Sequence, residues 1–152
     1  MTPRGGLRRG HLRLRPPFAE HRLAGWDEAA KAVHEANMRV YRPGLTAADC
    51  RKEVAEILRK QGHDPDSDLF KRIRPGFGHY VGLAVHDVGG GPMALKAGMV
   101  FANEPMTIFP EEKLGVRVED TVLITKTGCE VLTKDVPKEI DEIEKLLAGR
   151  GR

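Results

Sequence analysis

The side chains of this sequence that could do chemistry concentrate in residues 75–120. His79, His86, Glu104 and Glu119 lie there, each in or beside a run typical of a β-strand. Glutamate is rarely buried alone, because an unpaired carboxylate in a protein interior costs on the order of several kcal/mol. Imidazole and carboxylate groups suit Zn²⁺ or, with more oxygen donors, Mn²⁺. A divalent-metal site is therefore one interpretation of this set.

Ion pairing is the other interpretation. Glu104 or Glu119 could be neutralised by Arg117 or Lys96, and the histidines could be satisfied by backbone carbonyl groups. The candidate ligands do not form a compact motif such as HExxH. Their spacing alone leaves the metal site and the ion pairs both open.

Short strands must position the two glutamates. The apolar run 99–102 precedes Glu104, and alternation along an extended chain lets the Glu104 side chain point inward with Ala102. Residues 116–125 predict one continuous strand, with valines and an isoleucine on one face and Glu119 on the other. A hairpin turn then leads to a further strand; the turn is 126–128 and the strand 129–132.

Three helices flank these strands. Asp27 predicts the N-cap of the first helix, and Thr46 with Asp49 predicts a capping box for the second, which Gly62 would end. Pro137 would open the last helix, whose apolar face is Ile140, Ile143, Leu146 and Leu147. From Leu69 to the last helix we expect only short strands and turns. Helix, helix, antiparallel strands and helix make an α+β pattern.

The other reactive side chains have plain structural interpretations. His34 lies beside the apolar stripe of the first helix, and we interpret it as a half-exposed helix residue rather than a ligand. Cys50 and Cys129 are too few for a disulfide framework and indicate reduced thiols in a cytoplasmic protein. Cys129 is predicted to be a buried strand residue.

Composition limits the partners. The chain has 152 residues, 40% hydrophobic and 31% charged, which fits one globular domain. No apolar run reaches the ~18 residues that span a bilayer, so no membrane partner is expected. Residues 1–22 carry six arginines and one glutamate, a net charge of +5. Because the whole chain has a net charge of +3, the remaining residues carry −2. We predict a disordered arm over 1–25, a folded domain over 26–149 and no nucleic-acid partner.

Several blocks resemble the successive signature segments of the "pita-bread" metallopeptidases, and most of all Xaa-Pro aminopeptidases and prolidases. In chain order they are GHYVG at 78–82, VHD at 85–87, GMVFANEP at 98–105 and VRVEDT at 116–121. The resemblance runs from about residue 26 to 147. It implies a partial pita-bread domain of the α+β class, with a curved antiparallel sheet and helices packed on one face.

The resemblance also implies roles for the four residues. His79 and Glu104 would ligate one metal of a dinuclear site, and Glu119 would bridge the two metals. Glu104 would also shuttle a proton, while His86 would bind the substrate carbonyl oxygen, so that His79 and His86 line the peptide site. The metal would be Mn²⁺, Zn²⁺ or Co²⁺, and a water that it activates would attack a peptide bond next to proline.

One departure from the family pattern changes these expectations. Members supply two further aspartate ligands from an upstream hairpin, but no aspartate precedes Asp27. We therefore expect at most a mononuclear site, in the C-terminal part of a catalytic domain, such as a truncated or frameshifted reading frame would give. Exposed sheet edge and apolar surface would then favour a homo-oligomer or an N-terminal partner segment.

Three functions fit the sequence. The first is a metal-dependent Xaa-Pro peptidase, active or formerly active. The second is a non-catalytic pita-bread module that binds a peptide or protein. The third is a metal-independent hydrolase like the creatine amidinohydrolases, which resemble these peptidases. Metal retention separates the first function from the third.

Overall fold

The computed structural model describes residues 24–73, 76–84, 86–87, 94–109 and 114–149. Nearly all of the predicted arm, residues 1–23, lies outside these ranges. The elements in chain order are α1 (Ala24–Val40), α2 (Ala47–Lys60), α3 (Asp68–Arg72), β1 (Val100–Asn103), β2 (Met106–Phe109), β3 (Leu114–Arg117), β4 (Asp120–Ile124), β5 (Cys129–Val131) and α4 (Ile140–Gly149).

Both predicted ends of α2 are confirmed. The Thr46 hydroxyl accepts the Asp49 N–H at 3.2 Å, and the Asp49 carboxylate accepts the Thr46 N–H at 3.3 Å, which completes the capping box. After the helix, Gly62 adopts φ 86, a left-handed conformation that glycine adopts without steric cost. The N–H of His63 then reaches the Leu58 carbonyl at 3.0 Å, as in a Schellman motif.

Two predicted helix starts are wrong. α1 begins at Ala24, so Asp27 lies inside the helix rather than at its cap. α4 begins at Ile140, three residues after Pro137, and Lys138 between them pairs with Asp120 of β4. A third difference is α3, a short helix where only strands and turns were expected.

The strand predicted over 116–125 is also wrong, because it is two strands in two sheets. β4 pairs with β1 and β5 in a three-stranded antiparallel sheet, while β3 pairs with β2 alone. The two ladders nevertheless share one register. Continuing β1–β4 by one position places Glu104 opposite Glu119, and two positions further Met106 pairs with Arg117 in β2–β3. The interruption falls at Pro105, which has no N–H to donate to a ladder.

Residues 78–81 extend the three-stranded sheet on the free side of β1. The N–H of Gly78 donates to the Ala102 carbonyl at 3.0 Å, and the N–H of Ala102 donates to the His79 carbonyl at 2.8 Å. The N–H of Val81 reaches the Val100 carbonyl at 3.2 Å. The order across this sheet is therefore 78–81, β1, β4, β5, with His79 beside β1. The predicted hairpin between β4 and β5 is confirmed.

The core lies between the helices and one face of the sheet. It is apolar, and its members include Val33, Ala36, Tyr41, Leu45, Val54, Leu58, Phe101, Val122 and Ile124. This arrangement confirms the predicted α+β class. Among the described helices, none combines the length and apolarity that crossing a bilayer requires.

Apolar surface also remains outside the core. Leu146 and Leu147, on the apolar face predicted for α4, are both exposed, and Leu83 is fully exposed at the tip of the loop after His79. The other large apolar side chains that are exposed are Val81, Met106, Ile108, Leu132 and Val136. The homo-oligomer that exposed apolar surface would favour stays a prediction.

Candidate metal centre

Three of the four candidate residues come together in the fold. His79, Glu104 and Glu119 each offer one ligand atom, and these atoms all lie within 4.8 Å of one another. His79 Nε2 is 3.9 Å from Glu104 Oε1. The three side chains are 18%, 20% and 39% exposed, respectively. The cluster is therefore sheltered by protein on the His79 and Glu104 side and open to solvent at Glu119.

The strand register accounts for this convergence, because residues that lie opposite each other in an antiparallel pair project from the same face. Glu104 directly follows β1 and Glu119 directly precedes β4. The two glutamates therefore lie opposite each other, one position beyond the end of the β1–β4 ladder. His79 arrives from the added segment on the other side of β1. The three ligand atoms thus come from three neighbouring lengths of extended chain.

Gly78 makes room for the Glu104 side chain. A Cβ at Gly78 would lie 2.4 Å from the Ala102 carbonyl oxygen, 2.7 Å from Glu104 Cγ and 3.0 Å from Glu104 Oε1. Such distances are too short for any side chain at residue 78 without a shift of backbone or carboxylate. The glycine next to His79 is therefore a requirement of the site.

His79 is oriented by its own neighbour. Its Nδ1 lies 3.1 Å from the Tyr80 carbonyl oxygen. With the proton on Nδ1 donated to that carbonyl, Nε2 carries the free lone pair on the side of Glu104, which is the tautomer that a metal ligand needs. This orientation and the carboxylates fit a divalent cation.

Arg117 also contacts both carboxylates. Its Nη1 lies 3.2 Å from Glu104 Oε2, and its Nη2 lies 3.1 Å from Glu119 Oε2. The ion pairs considered from the sequence are therefore present with Arg117, whereas Lys96 pairs with neither glutamate among the described residues. One guanidinium supplies the positive charge that two adjacent carboxylates require.

His86 lies beside the cluster without belonging to it. Its ring packs edge-on against that of His79, with centroids 4.4 Å apart and an angle of 84° between the planes. The side chain is exposed. The structure thus brings His86 to the same site, in reach of a molecule that contacts His79.

A buried polar layer behind the glutamates was not predicted. His34 is 5% exposed rather than half-exposed, and its Nε2 lies 3.1 Å from Asp120 Oδ2, outside hydrogen-bond geometry. The interpretation of His34 as a half-exposed residue is therefore wrong, and burial lowers its pKa. Asn37 and Asn103 are buried as well. The strand period could have predicted the burial of Asp120, because Asp120 lies two residues after Val118 and therefore on the same, core-facing side of the strand.

The sequence pattern of metallopeptidase family M24 matches residues 24–126, more than half of the chain. The chain belongs to this family. The matched range contains all four candidate residues. The family resemblance expected from the motifs is confirmed.

Two of the similar proteins are named Xaa-Pro aminopeptidases, and a third is named an intermediate cleaving peptidase. The chain is 36% identical over 139 residues to the Xaa-Pro aminopeptidase of Escherichia coli, an alignment that covers 76% of this chain and 32% of the relative. It is 41% identical over 140 residues to Xaa-Pro aminopeptidase 3 of Rattus norvegicus, an alignment that covers 78% of this chain and 28% of the relative. A mitochondrial intermediate cleaving peptidase 55 of Arabidopsis thaliana is 37% identical over 121 residues, which cover 70% of this chain and 24% of the relative.

Solved structures of an aminopeptidase P and of a dipeptidase share the fold. Zinc-substituted Escherichia coli aminopeptidase P with bound product superposes with a TM-score of 0.63 at 32% identity, covering 83% of this chain and 34% of that one. A dipeptidase from Mycobacterium ulcerans gives a TM-score of 0.58 at 31% identity, covering 77% and 30%. The predicted partial pita-bread fold is confirmed. This chain spans about a quarter to a third of the length of these relatives.

Proposed function

We propose that this M24 chain carries a divalent-metal site of an Xaa-Pro peptidase, with His79, Glu104 and Glu119 as its ligands. The observation that carries the proposal is the convergence of three ligand atoms within 4.8 Å. Family membership supports a metal rather than a chance cluster. Three protein ligands suit a single Mn²⁺, Zn²⁺ or Co²⁺ ion, so we expect at most a mononuclear site here.

A bound divalent cation supplies a Lewis acid that polarises a peptide carbonyl and lowers the pKa of water. The remaining chemistry belongs to this chain's side chains. Glu104 would accept a proton from the attacking water and return it to the leaving amine. His86, exposed next to His79, donates a hydrogen bond to the carbonyl oxygen of the substrate and stabilises the charge that develops there.

The proposed substrates are peptides with proline after the scissile bond. This choice rests on the relatives named Xaa-Pro aminopeptidase and Xaa-Pro dipeptidase. The exposed edge of the cluster at Glu119 and His86 leaves a side on which a peptide can approach.

A non-catalytic peptide- or protein-binding module is the second candidate. The contacts of Arg117 favour it, because a guanidinium that pairs with Glu104 and Glu119 neutralises the cluster without a metal. A metal-independent hydrolase is the third, and it would use the His79–His86 pair alone.

The deciding experiment is elemental analysis after loading with Mn²⁺ or Zn²⁺ and desalting. We expect about one ion per chain. The Glu119→Gln variant should lose it, whereas Glu130→Gln, an exposed change on β5, should retain it. Folded wild-type protein without bound metal would leave the binding module and the metal-independent hydrolase. Turnover of Xaa-Pro peptides in EDTA would select the latter.

The cytoplasmic location, the homo-oligomer or N-terminal partner segment, and the lack of a nucleic-acid or membrane partner stay predictions. So do the domain limits at residues 26 and 149. Sedimentation velocity of the full chain would test the homo-oligomer.

A further inference from the structure

Behind the proposed metal ligands lies a second pair of facing residues, Asn103 and Asp120. They are partners in the β1–β4 register, and each is the chain neighbour of a ligand, Asn103 of Glu104 and Asp120 of Glu119. Successive side chains of an extended chain point to opposite faces. Asn103 and Asp120 are accordingly 0% and 2% exposed, on the core side of the chain that presents the two glutamates.

Asn103 fastens the end of β1 to α1. Its Oδ1 accepts hydrogen bonds from Asn37 Nδ2 at 2.9 Å and from the Tyr41 hydroxyl at 3.0 Å. Its Nδ2 donates to the His34 carbonyl at 3.2 Å. All three partners belong to α1 or to the residue that follows it. The amide of Asn103 thus fixes the chain one residue before Glu104.

Asp120 connects the start of β4 to Lys138 and Thr133 by hydrogen bonds. Lys138 Nζ donates to its two carboxylate oxygens at 2.8 and 2.7 Å, and the Thr133 hydroxyl donates to Oδ1 at 2.6 Å. His34 Nε2 of α1 lies 3.1 Å from Oδ2. The hydrogen bonds from Lys138 and Thr133 fix the chain one residue after Glu119.

We infer that Asn103 and Asp120 are positioning residues of the metal centre, which set the separation of the Glu104 and Glu119 carboxylates by anchoring their chain neighbours. The inference rests on the proposed function. Neither residue contacts the metal ligands through its own side chain, so each acts through the backbone. A ligand set works only when it is held to within about 0.5 Å of its productive geometry.

The chemistry of the pair supports this role. A buried ion pair such as Asp120–Lys138 is weak evidence for stability, because apolar residues of similar volume often serve as well. Directional hydrogen bonds, in contrast to apolar packing, fix where a chain lies along its neighbour. Partners that orient metal ligands typically change metal affinity 10- to 100-fold when removed.

The test is the double variant Asp120→Leu/Lys138→Met. It removes one negative and one positive charge, so the net charge near the site is unchanged. We expect a folded protein whose Kd for Co²⁺ is raised by about 10- to 100-fold and whose visible Co²⁺ absorption bands shift, because the ligands are displaced. The matched control is Arg42→Met/Glu53→Gln, which removes an exposed charge pair elsewhere, with distances of 2.7 and 2.8 Å, and should leave Kd and bands unchanged.

A milder variant guards against loss of folding. Thr133→Val removes only the hydroxyl that donates to Asp120 and accepts the Thr121 N–H. It should raise the Co²⁺ Kd by about threefold or more, less than the 10- to 100-fold of the double variant, because Lys138 still pairs with Asp120.

The outcomes separate the two claims. If the wild-type chain is folded and does not bind Co²⁺, the proposed function fails and this inference falls with it. If the wild type binds Co²⁺, and a folded double variant or Thr133→Val keeps its Kd and absorption bands, only the positioning role is overturned.

Discussion

Glu104 and Glu119 face each other at an interruption of a shared strand register. The β1–β4 ladder ends at the preceding pair, and the β2–β3 ladder resumes two positions later in the same register. Pro105 cannot donate to a ladder, although its carbonyl still accepts the Val118 N–H at 3.4 Å. The shared register places both carboxylates on one face, where they meet His79 and Arg117.

Gly78→Ala should damage fold and site together. The added methyl group would lie 2.4 Å from the Ala102 carbonyl oxygen of β1 and 2.7 Å from Glu104 Cγ, so the 78–81 segment must move away from β1. We expect a loss of about 1–3 kcal/mol of unfolding free energy and weaker metal binding, measured by urea denaturation and titration with Mn²⁺. Gly115→Ala is the matched control, because the nearest atom to its Cβ is 3.6 Å away. Equal stability of both variants would contradict the packing argument.

Arg117→Met should destabilise the metal-free protein more than the metal-loaded one. The guanidinium pairs with both glutamates, and without it two neighbouring carboxylates lose their counter-charge. Because Arg117 is 49% exposed, solvent screening limits the metal-free loss to about 0.5–1 kcal/mol. A bound divalent cation would replace that charge, so the loss should shrink in saturating Mn²⁺. Urea denaturation in EDTA and in Mn²⁺ measures both values.

Arg59→Met is the control for Arg117→Met. Arg59 pairs with Asp66 at 3.0 Å on the surface. Its effect should not depend on metal. An Arg117→Met effect that is equal in EDTA and Mn²⁺ would show that the guanidinium does not serve as the counter-charge of the site.

His34 should make the fold acid-sensitive. Burial lowers its pKa below 6.5, although Asp120 and Glu35 favour the protonated ring, while Lys138 opposes it. The unfolded chain then binds the proton more readily than the folded one. The free energy of unfolding is therefore not reduced by His34 above pH 6.5. It falls as the pH drops through 6.5 toward the folded-state pKa of His34.

Urea denaturation between pH 5 and 8 measures the effect of His34. The His34→Gln variant should lose that part of the pH dependence, and His63→Gln, a change after α2, should keep it. An unchanged profile in His34→Gln would assign the acid sensitivity to other groups.

The two cysteines should react at different rates. Cys50 is fully buried, and burial raises its pKa to about 12, so almost no thiolate forms near neutral pH. Cys129 is half-buried, and burial raises its pKa as well. In native protein, Ellman's reagent should label Cys129 first and Cys50 only after denaturation. The Cys129→Ser variant should show no labelling until urea is added; rapid native labelling of that variant would contradict the burial of Cys50.

Local rules predicted the parts of the fold that depend on neighbouring residues. The capping box of Thr46 and Asp49 and the glycine after α2 follow from hydrogen bonds that close within a few residues. Alternation placed Val116, Val122 and Ile124 on the core side, where all three are buried. The same rule failed to divide residues 116–125, because the alternation continues unbroken while the partner strand changes.

The burial of His34 depends on a contact across the fold. A helical stripe predicts which face of α1 is apolar, and His34 lies at its margin. Its burial follows from Asp120, 86 positions along the chain, packing against that margin. No pattern within one helix carries that information.

The sequence by itself determined the residue types of the site, the order of its blocks and the short elements that carry them. Those follow from side-chain chemistry and from hydrogen bonds between near neighbours. The family resemblance implied that His79, Glu104 and Glu119 meet at one metal site. Only the tertiary structure decided how their ligand atoms converge, that Arg117 shares both carboxylates and that Asn103 and Asp120 anchor the chain behind them. These relationships depend on strand register and on packing against α1, and both are set by contacts between residues distant in the chain.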